Sequence, residues 1–278
     1  MYQFLSPVTT AEALEFLKER KNLRILAGGT DLIIALKDGT AVCDHLMDIK
    51  KIPALKKMEQ TRDGLEIGAA VTLGEMLASG ILQEGYRAIG QSAASVANSL
   101  LRNRATLAGN ICNASPGGDM LPACLVADAY VQTIAPAGGR SIPLRDFFVG
   151  VKKHVLQADE LVVKVVIPKA NGVSAFRKKK RIRGHDLAQV SVAVSYSATG
   201  VLRMAFGAAA PTPLLIELGA YQPEVLREKR NEIVDGAVEH ASPIDDTRSS
   251  KAYRTAMLRH LAHEAINEIL EEAEDTHL

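Results

Sequence analysis

The stretch Thr106-Leu107-Ala108-Gly109-Asn110-Ile111-Cys112-Asn113-Ala114-Ser115-Pro116-Gly117-Gly118-Asp119 carries more information than any other part of this chain. It gathers small residues and hydrogen-bonding side chains with almost no bulk, and it reads as a turn-rich loop. Such a backbone can approach a ligand closely and turn its N–H groups toward phosphate oxygens. Thr106, Asn110, Ser115 and Asp119 add donors and acceptors for a ribose or a phosphate. Asp119 would repel a phosphate, which points it toward ribose hydroxyls or a heterocycle N–H. The competing interpretation is a purely structural turn rich in Asn and Asp.

A second small-residue segment lies upstream, Leu26-Ala27-Gly28-Gly29-Thr30-Asp31. The pair Gly28-Gly29 alone would fit any plain turn. Two such segments together suggest one large anionic ligand with two phosphates, a dinucleotide rather than a mononucleotide. The nucleoside-triphosphate loop G-x-x-x-x-G-K-[ST] and the dinucleotide fingerprint G-x-G-x-x-G are both absent.

The chain has 278 residues, 47% hydrophobic and 23% charged, enough for a large core and room for two domains. Lys plus Arg is 33 against 32 Asp plus Glu, and the net charge of +1 argues against nucleic acid or an anionic membrane as the main partner. The N-terminus lacks a basic n-region and a long apolar stretch, so no signal peptide is expected. Apolar runs around Ala123–Val131 and Leu161–Ile167 are too short to span a bilayer. These features predict a soluble, cytoplasmic protein. Cys43, Cys112 and Cys124 are odd in number and none pair at C-x-x-C spacing, which disfavours disulfides, zinc and a resident iron–sulfur cluster. They read as small buried hydrophobes, Cys112 being the one placed near the ligand.

Working outward, Thr10–Arg20 has helical apolar spacing, with Thr9 or Thr10 as N-cap and Glu12 in the first turn. Leu23–Ala27 reads as a strand running into Gly28-Gly29, Asp31–Lys37 as a helix, and Asp44–Asp48 as a second strand. Strand Leu65–Ala69 precedes Thr72 and Glu75 at capping-box spacing. A small-residue helix is expected over Ala88–Ala97, a helix or turn over Leu121–Asp128, and a hairpin over Tyr130–Leu144 around Gly138-Gly139. Strand Leu161–Ile167 ends at Pro168. A composition shift at Lys169–Gly172 suggests a domain boundary. Strands Ser174–Lys180, Gln189–Thr199 and Val201–Ala208 follow, and the break Pro211-Thr212-Pro213 is expected to lead into helices ending with Tyr253–Glu272. This order predicts an α+β fold.

Ala27-Gly28-Gly29-Thr30-Asp31, then Arg102-Asn103-Arg104-Ala105-Thr106-Leu107-Ala108-Gly109-Asn110, then Ala114-Ser115-Pro116 and Asp119, resemble the FAD-binding (medium) subunit of molybdenum hydroxylases, the xanthine dehydrogenase and carbon monoxide dehydrogenase family. The similarity runs nearly end to end, through Ile52-Pro53-Ala54-Leu55, Ile142-Pro143-Leu144, Asp159-Glu160-Leu161, Ala210-Pro211-Thr212-Pro213 and Asp245-Asp246. The resemblance implies a vanillyl-alcohol-oxidase (PCMH)-type FAD-binding domain over residues 1–170, with subdomains of about 1–55 and 56–170. A small α+β flavoprotein C-terminal domain would follow over 171–278.

It further implies that Leu26, Ala27, Gly28, Gly29, Thr30, Asp31 and Leu32 wrap the FAD pyrophosphate, and that Thr106, Gly109 and Asn110 contact its diphosphate and ribitol side. Asp119 would bind the adenosine part. Cys112 would lie against the cofactor, Ser115 and Gly118 belong to the same loop, and Leu161 and Lys178 would flank the isoalloxazine. No catalytic side chain and no metal ligand is implied. Substrate oxidation would occur at molybdopterin in a large partner subunit. Electrons would reach FAD through two [2Fe–2S] clusters of a small subunit and leave to an external acceptor, within a dimer of heterotrimers. Ala108 departs from the family's T-x-G-G-N, and the four-cysteine insertion of some relatives is missing.

Two alternatives stand beside it, a stand-alone FAD oxidoreductase and a flavin-free docking subunit. The former would need an acid or base from Lys178, His185 or Asp186; the latter has only Ala108 in its favour. The basic run Arg177–Arg183 reads as a solvated or docking face rather than a nucleic-acid site, and His260 and His263 as surface residues.

Overall fold

The computed structural model describes residues 2–275 except 84, 183 and 185. The chain opens with β1 (Gln3–Leu5), α1 (Thr10–Glu19), β2 (Leu23–Leu26), α2 (Leu32–Lys37) and β3 (His45–Asp48). The strands form a parallel sheet in the order β1-β3-β2. The Thr9 hydroxyl accepts the Glu12 N–H at 3.1 Å, and the Glu12 carboxylate accepts the Val8 N–H at 2.8 Å. This satisfies two N–H groups that the helix start would otherwise leave bare, and α1 buries Ala13 and Leu17.

The second sheet has the order β4-β5-β10-β6-β7, every pair antiparallel, from β4 (Met58–Gln60), β5 (Gly64–Gly68), β6 (Tyr130–Ile134), β7 (Ser141–Pro143) and β10 (Leu161–Pro168). Between β5 and β6 run α3 (Leu73–Ala78), α4 (Arg87–Ser95), α5 (Ser99–Arg102), α6 (Leu107–Asn113) and α7 (Met120–Val126). The capping box forms: Thr72 N–H donates to Glu75 at 2.7 Å and Glu75 N–H to the Thr72 hydroxyl at 3.1 Å. A short ribbon, β8 (Phe148–Gly150) with β9 (Lys153–His154), precedes β10.

β10 ends at Pro168, and β11 (Gly172–Lys179) starts a third sheet with β12 (Val190–Ser197), β13 (Val201–Gly207) and β14 (Leu214–Ala220), antiparallel in that order. Then come α8 (Pro223–Glu228), α9 (Arg230–Glu239) and α10 (Lys251–Asp275). Both faces of this sheet are covered. Ala175, Val190, Val192 and Val194 join the core shared with α9 and α10, while Phe176, Ala193 and Ala205 join the larger core with α4 and α7. Strand alternation separates the two sets, and alanines on the second face let α7 come close. At Gly207 a methyl group would already crowd Pro122 and Ser191.

Three expectations need correction. Leu214–Ala220 is a strand, not the start of the helices, because its pairing with β13 satisfies backbone groups of a segment too short for a stable helix. Thr106–Asp119 is not mainly loop, since α6 occupies half of it with Thr106 as N-cap. The basic run is extended only as far as Lys179. Strand β1 and helix α5 carry too few residues to register a period, and neither was anticipated.

Candidate functional site

The first small-residue segment packs on the two residues that lead into the second. A methyl group at Gly28 would sit 2.2 Å from the Arg104 carbonyl oxygen and 2.9 Å from the Ala105 Cα, so here main chain lies on main chain. Only glycine permits that approach. Gly29 follows with φ +75°, a left-handed conformation that reverses the chain into α2. Lys50, unremarkable among neighbouring lysines in the sequence, secures this first segment. Its ammonium donates to the Ala27 carbonyl at 3.0 Å and pairs with Asp48 at 2.7 Å. Ala27, Thr30 and Leu32 are half-buried and Asp31 is exposed, with its side chain making no helix cap.

The second segment starts where Thr106 pairs with Thr72 and its hydroxyl accepts the Gly109 N–H at 2.9 Å. This N-cap begins α6, which packs against β10. Ala108 is an ordinary helical residue and 4% exposed, so its extra methyl group causes no backbone strain. The Asn110 Oδ1 is buried and has no hydrogen-bond partner. Gly118 lies beside it, where a methyl group would be 3.1 Å from that oxygen. Cys112 keeps some residue exposure, but its surroundings push the thiol up to about 12, so it is a neutral wall rather than a nucleophile. Ala114, at φ +46°, ends the helix, and Ser115–Gly118 closes a turn. The Pro116 carbonyl accepts the Ala208 N–H at 2.6 Å and ties that turn to the third sheet.

Asp119 and Lys178 form a buried ion pair of 2.6 Å, their side chains 11% and 3% exposed. Burial pushes the Asp119 carboxyl up, and Lys178 pulls it back down. Asp119 Oδ1 is left without a partner. The resemblance assigns these two side chains to different parts of FAD; in the structure they meet as one pair. Leu161 is 1% exposed with its side chain inside the core, so what it can present outward is main chain.

Neither rival acid–base candidate among the described residues is free. Lys178 is committed to Asp119, and Asp186 accepts the Arg181 N–H at 3.0 Å and the Leu187 N–H at 2.9 Å. His185 lies outside the described residues. A cavity of about 330 Å³ involves Tyr86, Asp128, Tyr196 and Arg203, but none of its lining residues belongs to either segment. Among the described residues, no group of three or more His, Cys, Asp or Glu could hold a metal ion. No helix among them is long and apolar enough to cross a membrane.

The structure thus sets the Gly28 segment on the main chain leading into α6, within an α+β framework whose third sheet contributes a buried lysine to Asp119. A family model described as the FAD binding domain in molybdopterin dehydrogenase matches residues 1–170, and the chain belongs to that family. It is 29% identical to a putative xanthine dehydrogenase FAD-binding subunit of Escherichia coli (strain K12), over 96% of this chain and 97% of that one. It is also 29% identical to the carbon monoxide dehydrogenase medium chain of Hydrogenophaga pseudoflava, over 96% of each. The fold matches a chain of reconstituted CO dehydrogenase from Oligotropha carboxidovorans with TM-score 0.89, 26% identity and 98% coverage of both chains.

The residues fit an FAD. Two buried oxygens, on Asn110 and Asp119, have no hydrogen-bond partner within the chain and are placed to accept from a bound group.

Proposed function

We propose that this chain binds FAD at the junction of its two small-residue segments and serves as the electron-transferring subunit of a molybdenum hydroxylase complex. The main-chain contact of Gly28 with Arg104 and Ala105 carries the proposal, because it brings the first segment to the residues that lead directly into the second, more than seventy positions away in sequence. Leu26, Ala27, Gly28, Gly29, Thr30, Asp31 and Leu32 would hold the pyrophosphate from one side, and Thr106, Gly109 and Asn110 from the other. Backbone N–H groups suit that charge without adding bulk. Ser115 and Gly118 would shape the floor beside Asn110. Cys112, the Leu161 main chain and the Asp119–Lys178 pair would border the rest of the cofactor.

FAD, when bound, would supply the redox chemistry of a subunit that would take electrons from [2Fe–2S] clusters of a small partner subunit and pass them to an external acceptor. The chain's own residues bind and orient. Lys50 fixes the Ala27 carbonyl, Thr106 fixes the start of α6, and Lys178 places a compensated positive charge in a site shielded from water. Substrate oxidation is assigned to a large molybdopterin subunit, in keeping with a relative named as a medium chain. We further propose a domain boundary at Lys169–Gly172, subdomains of about 1–55 and 56–170, assembly as a dimer of heterotrimers, and a cytoplasmic setting. The three free cysteines support that setting.

The test is a visible spectrum of the purified chain, followed by release and identification of the cofactor after denaturation. Released FAD supports the reading. A colourless protein that takes up no added FAD overturns it.

A further inference from the structure

Asp119 precedes α7 and Lys178 sits on β11, an edge strand of a different sheet, yet their charged atoms meet at 2.6 Å. Helix α4 touches both. From its centre, the Ser92 hydroxyl donates to the Asp119 carbonyl at 2.9 Å. One residue earlier, Gln91 grips the open edge of β11, its Oε1 accepting the Phe176 N–H at 2.6 Å. The Gln91 Nε2 donates to Glu268 of α10, also at 2.6 Å, which fixes the amide's orientation. Glu268 is in turn paired with Arg87 at 2.8 Å and with Arg177. At the end of α4, the Ser95 carbonyl accepts from Lys178 at 3.4 Å, where the helix's negative end favours an ammonium.

We infer that α4 is the bracket that sets the Asp119–Lys178 pair, with Gln91 and Ser92 as positioning residues for the flavin site. Neither residue needs to touch the cofactor. Gln91 completes the hydrogen bonding of an otherwise bare strand edge two residues from Lys178, and Ser92 holds the main chain of its partner. Ser92 is fully buried and Gln91 half-buried, so both are locked by packing. The inference rests on the FAD reading above and adds to it the residues that determine where the pair stands.

The experiment titrates the full-length chain, stripped of flavin, with FAD and records affinity and flavin absorbance. The variants are Gln91→Leu, Ser92→Ala, Lys178→Met and each of the first two combined with Lys178→Met. Gln91→Leu is expected to weaken FAD binding about tenfold and to shift the flavin spectrum, and Ser92→Ala to do the same more mildly. In the Lys178→Met background neither should add anything, because the element they position is gone. Arg259→Met, which removes an ion pair between α10 and α9 and touches neither α4 nor β11, should leave FAD binding unchanged. Equal effects of Gln91→Leu with and without Lys178, or an equal effect of Arg259→Met, would overturn the bracket. So would an effect of Lys178→Met with none from Gln91→Leu and Ser92→Ala, which leaves the FAD site standing. No effect from Lys178→Met removes the pair from the FAD site and the bracket with it. Ser92→Ala deletes a single oxygen and keeps the test available if Gln91→Leu folds poorly.

Discussion

Replacing Gly28 by alanine tests the junction between the two segments directly. The new methyl carbon would sit 2.2 Å from the Arg104 oxygen and 2.9 Å from the Ala105 Cα, with no flexible side chain to move aside. Carbon makes ordinary contacts at about 3.5 Å or more, so the two main chains must part by about 1 Å. Overpacking of this kind costs about 1–3 kcal/mol. Without ligand the segments can separate and relieve much of that strain. With FAD bound across them they cannot, so the cost falls on binding and weakens it by about tenfold to a hundredfold. Gly117→Ala is the internal control, since its methyl group would meet nothing within 4 Å and its φ is not positive. The assay is titration of the flavin-free variants with FAD, read by flavin fluorescence, with thermal unfolding alongside. The reasoning predicts a large loss of affinity for Gly28→Ala with a small change in melting temperature, and wild-type behaviour for Gly117→Ala. Unchanged affinity in Gly28→Ala, or an equal loss in both variants, would refute it.

Three further outcomes are expected. Glu160 is buried and accepts from Arg140, Thr133 and the Gln157 N–H, which hold its carboxyl at about 2 against an ordinary 4.5. That difference is worth about 3 kcal/mol, present above pH 4.5 and lost as pH falls toward 2, so Glu160→Gln should melt earlier than wild type at pH 7 and converge with it in acid. Melting curves that stay parallel down to pH 3 would contradict this. Lys178→Met leaves Asp119 buried without its counter-charge and should destabilise the chain by about 3–5 kcal/mol at pH 7. Because the Asp119 carboxyl is then raised further, the variant should regain stability as pH falls toward 5, and adding Asp119→Asn should restore it at neutral pH. Ala108→Gly restores the family's usual residue inside a helix; it should cost up to about 1 kcal/mol in unfolding free energy and change FAD affinity less than threefold.

Local chemistry made much of this molecule legible. Thr9 with Glu12 and Thr72 with Glu75 mark helix starts through side-chain acceptors that reach only three residues, and both caps form. The hairpin around Gly138-Gly139 and the run ending at Pro168 depend on turn geometry and on a missing N–H, which are also local. Gly28, Gly29, Gly109 and Gly118 announced a close approach by their lack of side chains. What they approach was not legible. The contact of Gly28 with Arg104 spans more than seventy residues and follows from how the turn after β2 meets the link between α5 and α6, which no periodicity records. The same holds for Leu214–Ala220, a strand only because β13 offers it an edge.

Lys178 shows the division most clearly. Charge and spacing present it as one cation in the run Arg177–Arg181, and only the family resemblance singles it out. Strand alternation and the docking of β11 on α4 bury this lysine against Asp119, while Lys180 donates to the Gly184 carbonyl near the surface. Composition, caps and the order of elements determined that this chain would be an α+β protein with two small-residue segments. Tertiary structure decided that Lys178 meets Asp119 at the end of the second segment, because the partner of a buried charge is set by the packing of distant elements and not by its neighbours along the chain.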